Sequence, residues 1–205
     1  MAYQVSYDFY KDYLHNYKFQ ELFNKRKKMI KDRYSLNHSD DELVKEYFVE
    51  IFSWSVIPYN LLLEISKLLD NHEFSNRIID PCSGNSFHTF IFNEFCNKKV
   101  STIDIQPENL SWIETIKENG LDFIKNNCTT NDCLLLSWID YDDLAHNLLY
   151  HFRGNLLISI GNYENISFKY LDLLESNFVL VKKYILHMPW DHIEQIKIYK
   201  RNKQI

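Results

Sequence analysis

The run Arg77-Ile78-Ile79-Asp80-Pro81-Cys82-Ser83-Gly84-Asn85-Ser86-Phe87 places an acid at the end of a short apolar strand, then a turn of small residues, then a helical pattern. A second apolar segment, Val100-Ser101-Thr102-Ile103-Asp104-Ile105, carries another acid near its end. This is the layout of a nucleoside-binding α/β crossover, in which loop backbone approaches the ligand and a helix N-terminus offers free N–H groups. Asp80, Ser83, Gly84, Asn85 and Ser86 lie where such a ligand binds. Gly84, lacking a Cβ, lets the backbone come close, and Asp104 can accept hydrogen bonds from ribose hydroxyls. An ordinary strand-turn-helix corner, with Asp80-Pro81 as turn punctuation and Asp104 as a solvated strand end, has the same spacing. Spacing alone leaves both readings open.

The elements that must position these residues are legible from periodicity. Apolar segments of strand length fall at 77–80, 100–105, 133–138, 155–161, 178–186 and 193–199, with stretches long enough for helical crossovers between most of them. Alternating strands and helices imply a parallel sheet covered on both faces. The last two strands are joined by Met188-Pro189-Trp190-Asp191, short enough for a hairpin, so the sheet is expected to end with an antiparallel strand. Ahead of the first strand the pattern is helical. Residues 8–33 fit one or two helices, and Ser39 with Glu42 reads as a capping box. The helix it starts would carry Leu43, Val44, Tyr47, Phe48, Ile51 and Phe52 on one face. Pro58 resets the chain, and Asn60 to Leu69 reads as another helix.

At 205 residues the chain has room for one domain with an extension and a full core. A net charge of -5 gives no global attraction to nucleic acid. The one basic concentration, Asn24-Lys25-Arg26-Lys27-Lys28 with Lys31 and Arg33, reads as a solvated helix face, so nucleic-acid binding is not favoured. Cys82, Cys96, Cys128 and Cys133 have neither Cys-x-x-Cys spacing nor a His cluster, so no metal site and no disulfide framework is expected. With no apolar run of membrane-span length, the expectation is a soluble intracellular, cytoplasmic protein.

Arg77 to Phe90 and Thr102 to Ile105 resemble motif I and the following acidic motif of class I S-adenosylmethionine-dependent methyltransferases. The order from Phe52 onward is similar to a group of uncharacterised methyltransferase-like proteins. In that group an aromatic-x-x-x-x-Pro segment precedes motif I, a later strand ends Trp-Pro-Pro-Tyr, and the next ends Gly-Glu. Here the matching stretches are Phe52-Ser53-Trp54-Ser55-Val56-Ile57-Pro58, Leu134-Leu135-Leu136-Ser137-Trp138-Ile139-Asp140-Tyr141 and Ile158-Ser159-Ile160-Gly161-Asn162. The resemblance implies an α/β, Rossmann-like class I methyltransferase fold of seven strands, mostly parallel with an antiparallel C-terminal strand. Residues 51–205 would form that domain, and residues 1–50 an N-terminal helical extension.

It also implies roles. Asp80, Cys82, Gly84, Asn85 and Asp104 would bind the cofactor S-adenosylmethionine, with Asp104 holding the ribose. Ser137 and Trp138 would line the pocket of an unspecified methyl acceptor, with Asp140 and Tyr141 as catalytic candidates, Asp140 accepting a hydrogen bond or proton. The chain departs from the family pattern where Cys82 and Ser86 replace glycines, and where Ile139-Asp140 replaces the proline pair. A catalytically inactive binding or scaffolding protein on the same fold is therefore the alternative.

Overall fold

The computed structural model describes residues 1–34, 40–71, 77–139, 142–162 and 167–202; the side chains of 32–44 and 142 are outside the description. A single sheet is built on β2 (Ile78–Asp80), β3 (Val100–Asp104), β5 (Cys133–Ser137) and β6 (Leu156–Gly161). To these are added β4 (Ile116–Lys117), the long hairpin β7 (Phe178–His187) and β8 (Ile193–Arg201), and a short N-terminal strand β1 (Ala2–Gln4). The spatial order is β1-β7-β8-β6-β5-β2-β3-β4. All pairings are parallel except those of β8, which runs antiparallel to both β6 and β7. The parallel sheet ending in an antiparallel strand is thus as expected, and the 188–191 turn closes the hairpin with the Met188 N–H donating to the His192 carbonyl at 2.8 Å.

Period-two alternation divides the strand residues between two cores. Ile78, Cys133, Leu135, Leu156, Ile158 and Ile160 face one side, where they meet residues of α1 (Tyr17–Tyr34), α2 (Asp40–Ile51), α3 (Tyr59–Asn71) and α4 (Phe87–Cys96). Ile79, Leu134, Leu136 and Leu157 face the other, against α5 (Gly120–Asn127), α6 (Asp142–His151) and α7 (Phe168–Asn177). Strands buried on both faces require these near-continuous apolar runs. The predicted helix over 60–69 is α3, with Leu61, Leu62, Ile65 and Leu69 buried. The capping box at Ser39 and Glu42 and the side chains of Leu43 and Val44 lie outside the described residues.

Two features correct the sequence reading. The N-terminal segment is more than helices: Ala2–Gln4 add a parallel edge strand to β7, and the sheet has eight strands where seven were expected. The segment's aromatics, Phe9, Tyr13, Phe19 and Phe23, are buried in the larger core, where Phe9 and Phe23 pack on Phe52, and Phe19 on Phe90 and Trp112. The basic run is not a uniformly solvated face either. Arg26 is 1% exposed; its Nε donates to the Ile51 carbonyl at 2.9 Å, and its terminal nitrogens reach the Glu50 and Leu110 carbonyls and the Glu108 carboxylate. One guanidinium fork thereby ties α1 to the end of α2 and to the loop after β3, as only a planar, multiply donating cation can.

Replacing Arg26 with Ala would remove one donor from each of the Ile51, Glu50 and Leu110 carbonyls and the cation beside Glu108. We expect Arg26→Ala to destabilise the chain by about 3 kcal/mol, read as a lowered urea midpoint, with Arg26→Lys recovering only part of the loss.

Candidate functional site

The strand order reverses between β2 and β5: β3 and β4 continue on one side, β6 and the hairpin on the other. A crevice opens at such a reversal, beyond the carboxyl ends of the two strands. Here it is a cleft of about 290 Å³ whose lining includes Asp80, Cys82, Gly84 and Asn85 from the loop after β2, and Ser137 and Trp138 from the end of β5. That volume is at the lower end for small-molecule sites. A broader groove of about 600 Å³ between α1 and residues 107–115 lies beside it and contains neither the loop after β2 nor the end of β5.

The loop is held by its own polar groups. Gly84 has φ +51°, a left-handed conformation natural to glycine, and a Cβ built there would meet nothing within 4 Å. Its N–H donates to Asp104 Oδ2 at 2.9 Å, while Asp104 Oδ1 accepts the Gln106 N–H at 2.8 Å. Ser86 also adopts left-handed geometry, at φ 65°, which costs a residue with a Cβ about 1 kcal/mol or more. Its buried hydroxyl offsets this through contacts with Thr115 Oγ1 at 2.6 Å and Ser83 Oγ at 3.1 Å. A serine therefore occupies a position at which glycine would be unstrained, and the hydroxyl fixes the turn. Gly120 abuts the loop from α5, and a side chain there would collide with the Pro81 carbonyl.

The opposite wall comes from the end of α2, with Val49 and Glu50, and from the segment after it, with Ser53 and Trp54. Its carbonyls bind it to the loop and to α4: Asn85 Nδ2 donates to Phe52 O at 2.7 Å, and His88 Nε2 contacts Ser55 O at 2.9 Å. Ser55 is fully buried, and its Oγ accepts the Trp138 indole N–H at 2.7 Å. Trp138 sits at φ 52°, its ring stacked 6.2 Å from His192 and tilted 5.9 Å from Trp54. The end of β5 is thus fixed both by the segment after α2 and by the turn between β7 and β8.

No protein-family model matches the chain, and no curated protein matches it in sequence. Among solved structures it is similar to a candidate methylase from Haemophilus influenzae, at 14% identity and a TM-score of 0.49, over 70% of this chain and 98% of that one. A 1,6-didemethyltoxoflavin-N1-methyltransferase from Burkholderia thailandensis, solved with S-adenosylhomocysteine bound, is 13% identical with a TM-score of 0.48, over 70% and 78%. The N-methyltransferase NodS from Bradyrhizobium japonicum is 12% identical with a TM-score of 0.47, over 70% and 94%. The strand order itself, β4-β3-β2-β5-β6-β8-β7 with only β8 reversed, decides the architecture. The chain has a class I methyltransferase-like fold.

Within it, the predicted residues Asp80, Cys82, Gly84, Asn85, Ser137 and Trp138 share one cleft. Asp104 is not part of the lining, but its carboxylate clasps the Gly84 N–H that is. Asp140 and Tyr141 lie outside the described residues. Ser55, Trp54 and His88 were not picked out by sequence reasoning. His88 is 5% exposed and lines the cleft. Its one sequence signal is its place in the first turn of the helix that follows the loop, on the side facing β5. Burial pushes the Cys82 thiol up to about 12, with Asp80 and Asp104 adding to the effect. Cys82 is a small filler and not a thiolate. No helix among the described residues is long and apolar enough to cross a membrane.

Burial shapes the remaining acids and bases. Desolvation pushes Asp80 up to about 8, opposed by the Cys82 backbone N–H and reinforced by the Asp104 charge. Burial lowers His88 to about 4, the Ser55 carbonyl pulling the other way. Glu194, fully buried with Oε1 3.4 Å from His192 Nε2, is raised to about 7 by burial. Asp80, being raised above its ordinary 3.8, contributes stability that is fully present below that value and is lost as pH climbs through about 8. We expect Asp80→Asn to abolish this slope. The ligand-free variant should melt higher than the wild type at pH 8, by at least about 1 kcal/mol, and differ little at pH 4.

Proposed function

We propose that the chain is an S-adenosylmethionine-dependent methyltransferase. The observation that carries the reading is the cleft at the strand-order reversal, which joins the Asp80–Asn85 loop to Ser137 and Trp138. The residues fit the cofactor. Gly84 leaves open space beside its Cα for a close-lying ligand. The Asp104 carboxylate keeps lone pairs beyond those engaged by Gly84 and Gln106, enough to accept the ribose hydroxyls. Asp80, buried and proton-bound near neutrality, is a latent anion for a cationic amino or sulfonium group. Asn85 and Cys82 complete the cradle.

S-adenosylmethionine supplies an activated methyl group, so the protein's task is alignment and removal of the acceptor's proton. Trp138, clamped by Ser55 and His192, offers an indole face to the acceptor beside the Ser137 hydroxyl. Asp80, which ionises more readily beside a cation, favours a cationic ligand in the cleft. Asp140 and Tyr141, directly after this strand end in sequence, remain our candidates for contact with the acceptor.

Titration calorimetry with S-adenosylmethionine and S-adenosylhomocysteine tests the reading. We expect both to bind, with Asp104→Ala weakening each by about tenfold or more. The absence of binding at millimolar ligand would overturn the cofactor assignment, and unchanged affinity in the variant would remove Asp104 from the site. Because a cation favours ionised Asp80, affinity for S-adenosylmethionine should rise between pH 6 and pH 8, with proton release that Asp80→Asn eliminates.

A further inference from the structure

His88 and Ser137 face each other across the cleft wall, and their hydrogen bonds fix where the protons are. His88 Nε2 lies 2.9 Å from the Ser55 carbonyl oxygen, which can only accept. Nε2 therefore carries the ring hydrogen, and in the neutral imidazole Nδ1 is a bare lone pair. The atom beside Nδ1 is Ser137 Oγ, at 3.4 Å. Ser137 is then the donor in this contact, which leaves its own oxygen lone pairs free to accept in the cleft that both residues line. A nucleophile's companion, a base and a group that orients the base thus stand in one row: Ser137, His88 and the Ser55 carbonyl.

We propose that Ser137 and His88 form a proton relay that deprotonates the methyl acceptor, and that the acceptor is consequently a protic nitrogen or oxygen nucleophile. This rests on the methyltransferase reading above. The acceptor's N–H or O–H bond breaks as its electron pair forms the bond to the methyl carbon, and the methyl–sulfur bond breaks with its electrons retained by sulfur. The released proton passes to Ser137 Oγ while the Ser137 proton passes to His88 Nδ1, giving an imidazolium that later returns its proton to solvent. One positive charge enters the step on sulfur and one leaves on His88, so the net charge of a poorly solvated cleft is unchanged. A thiolate or carboxylate acceptor has no proton to lose and no use for the relay. Ser137 is the catalytic residue here, and His88 acts through it.

Long-range proton–nitrogen NMR on the full chain, with nitrogen-15 histidine, reads this without an acceptor. The His88 signals are identified by their loss in His88→Gln, or through backbone correlations if that variant does not fold. We expect the Nε2–H tautomer with Nδ1 unprotonated at pH 7, and an Nδ1 shift in Ser137→Ala that reports the lost hydrogen bond. We further expect His88 to bind its proton at least about fivefold more weakly with S-adenosylmethionine than with the uncharged thioether S-adenosylhomocysteine. A merely structural histidine far from the sulfur would titrate alike with both. An Nδ1–H tautomer, or equal midpoints with both ligands bound, overturns the relay while leaving the cofactor reading intact. Failure of both ligands to bind, checked by calorimetry on the same sample, removes the cofactor reading and the relay with it.

Discussion

The segment from Ile51 to Ser55 leaves a helix with Ile51, Phe52 and Ser55 buried and joins no other helix or strand, so the carbonyl groups of these three residues need donors from elsewhere. Side chains supply them. The Ile51 carbonyl takes both Arg26 Nε and the Trp112 indole, Phe52 takes Asn85, and Ser55 takes His88. Each donor comes from a different place: α1, the 105–115 segment, the loop after β2, and α4. Satisfying one stretch of buried backbone thus couples the N-terminal helices to the loop and to the end of β5. The wall of the cleft is also the junction at which the N-terminal segment meets the sheet.

The same constraint explains why the loop tolerates its side chains. Glycine at 82, 84 and 86 would make the turn without strain, but it would remove the Ser86 hydroxyl that ties the loop to Thr115. Ser86 accepts a left-handed backbone and returns a hydroxyl to Ser83 and Thr115. Asn85 uses both ends of its amide, Nδ2 on the Phe52 carbonyl and Oδ1 on the Phe87 N–H at 3.0 Å, so it closes the first turn of α4 while pinning the wall. Loop conformation is set here by a network of small polar side chains. Only Gly84, whose N–H meets Asp104, retains the open approach a ligand needs.

These features divide sharply by how visible they are in sequence. The six strands from 77 onward stand within about two residues of where apolar runs place them, because β2, β5 and β6, buried on both faces, must be apolar throughout, while β7 and β8 alternate between buried and exposed positions. The loop and both acids were legible for the same reason: turn residues between two strong patterns. β1 and β4, at three and two residues, carry too little pattern to be read, and their pairing is decided by neighbours distant in sequence. Arg26 was unreadable because a charged side chain in a basic run looks solvated until buried carbonyls are found around it. Ser55 and His88 were missed because their roles depend on one contact across 33 residues of chain.

The titratable groups around the cleft respond to a single variable. Burial holds Asp80 with its proton near neutrality and His88 without one. A positive charge placed between them would ionise Asp80 and make His88 still less basic, since a cation favours an anion and disfavours a second cation. Loss of that charge would reverse both tendencies, recharging Asp80 with a proton and making His88 a better base. Such a cleft is electrostatically complementary to a cation that becomes neutral in place, and the complementarity needs no exposed charge to create it. Two buried, uncharged side chains in the lining of one cleft, one acid and one base, are poised to track the charge of whatever binds there.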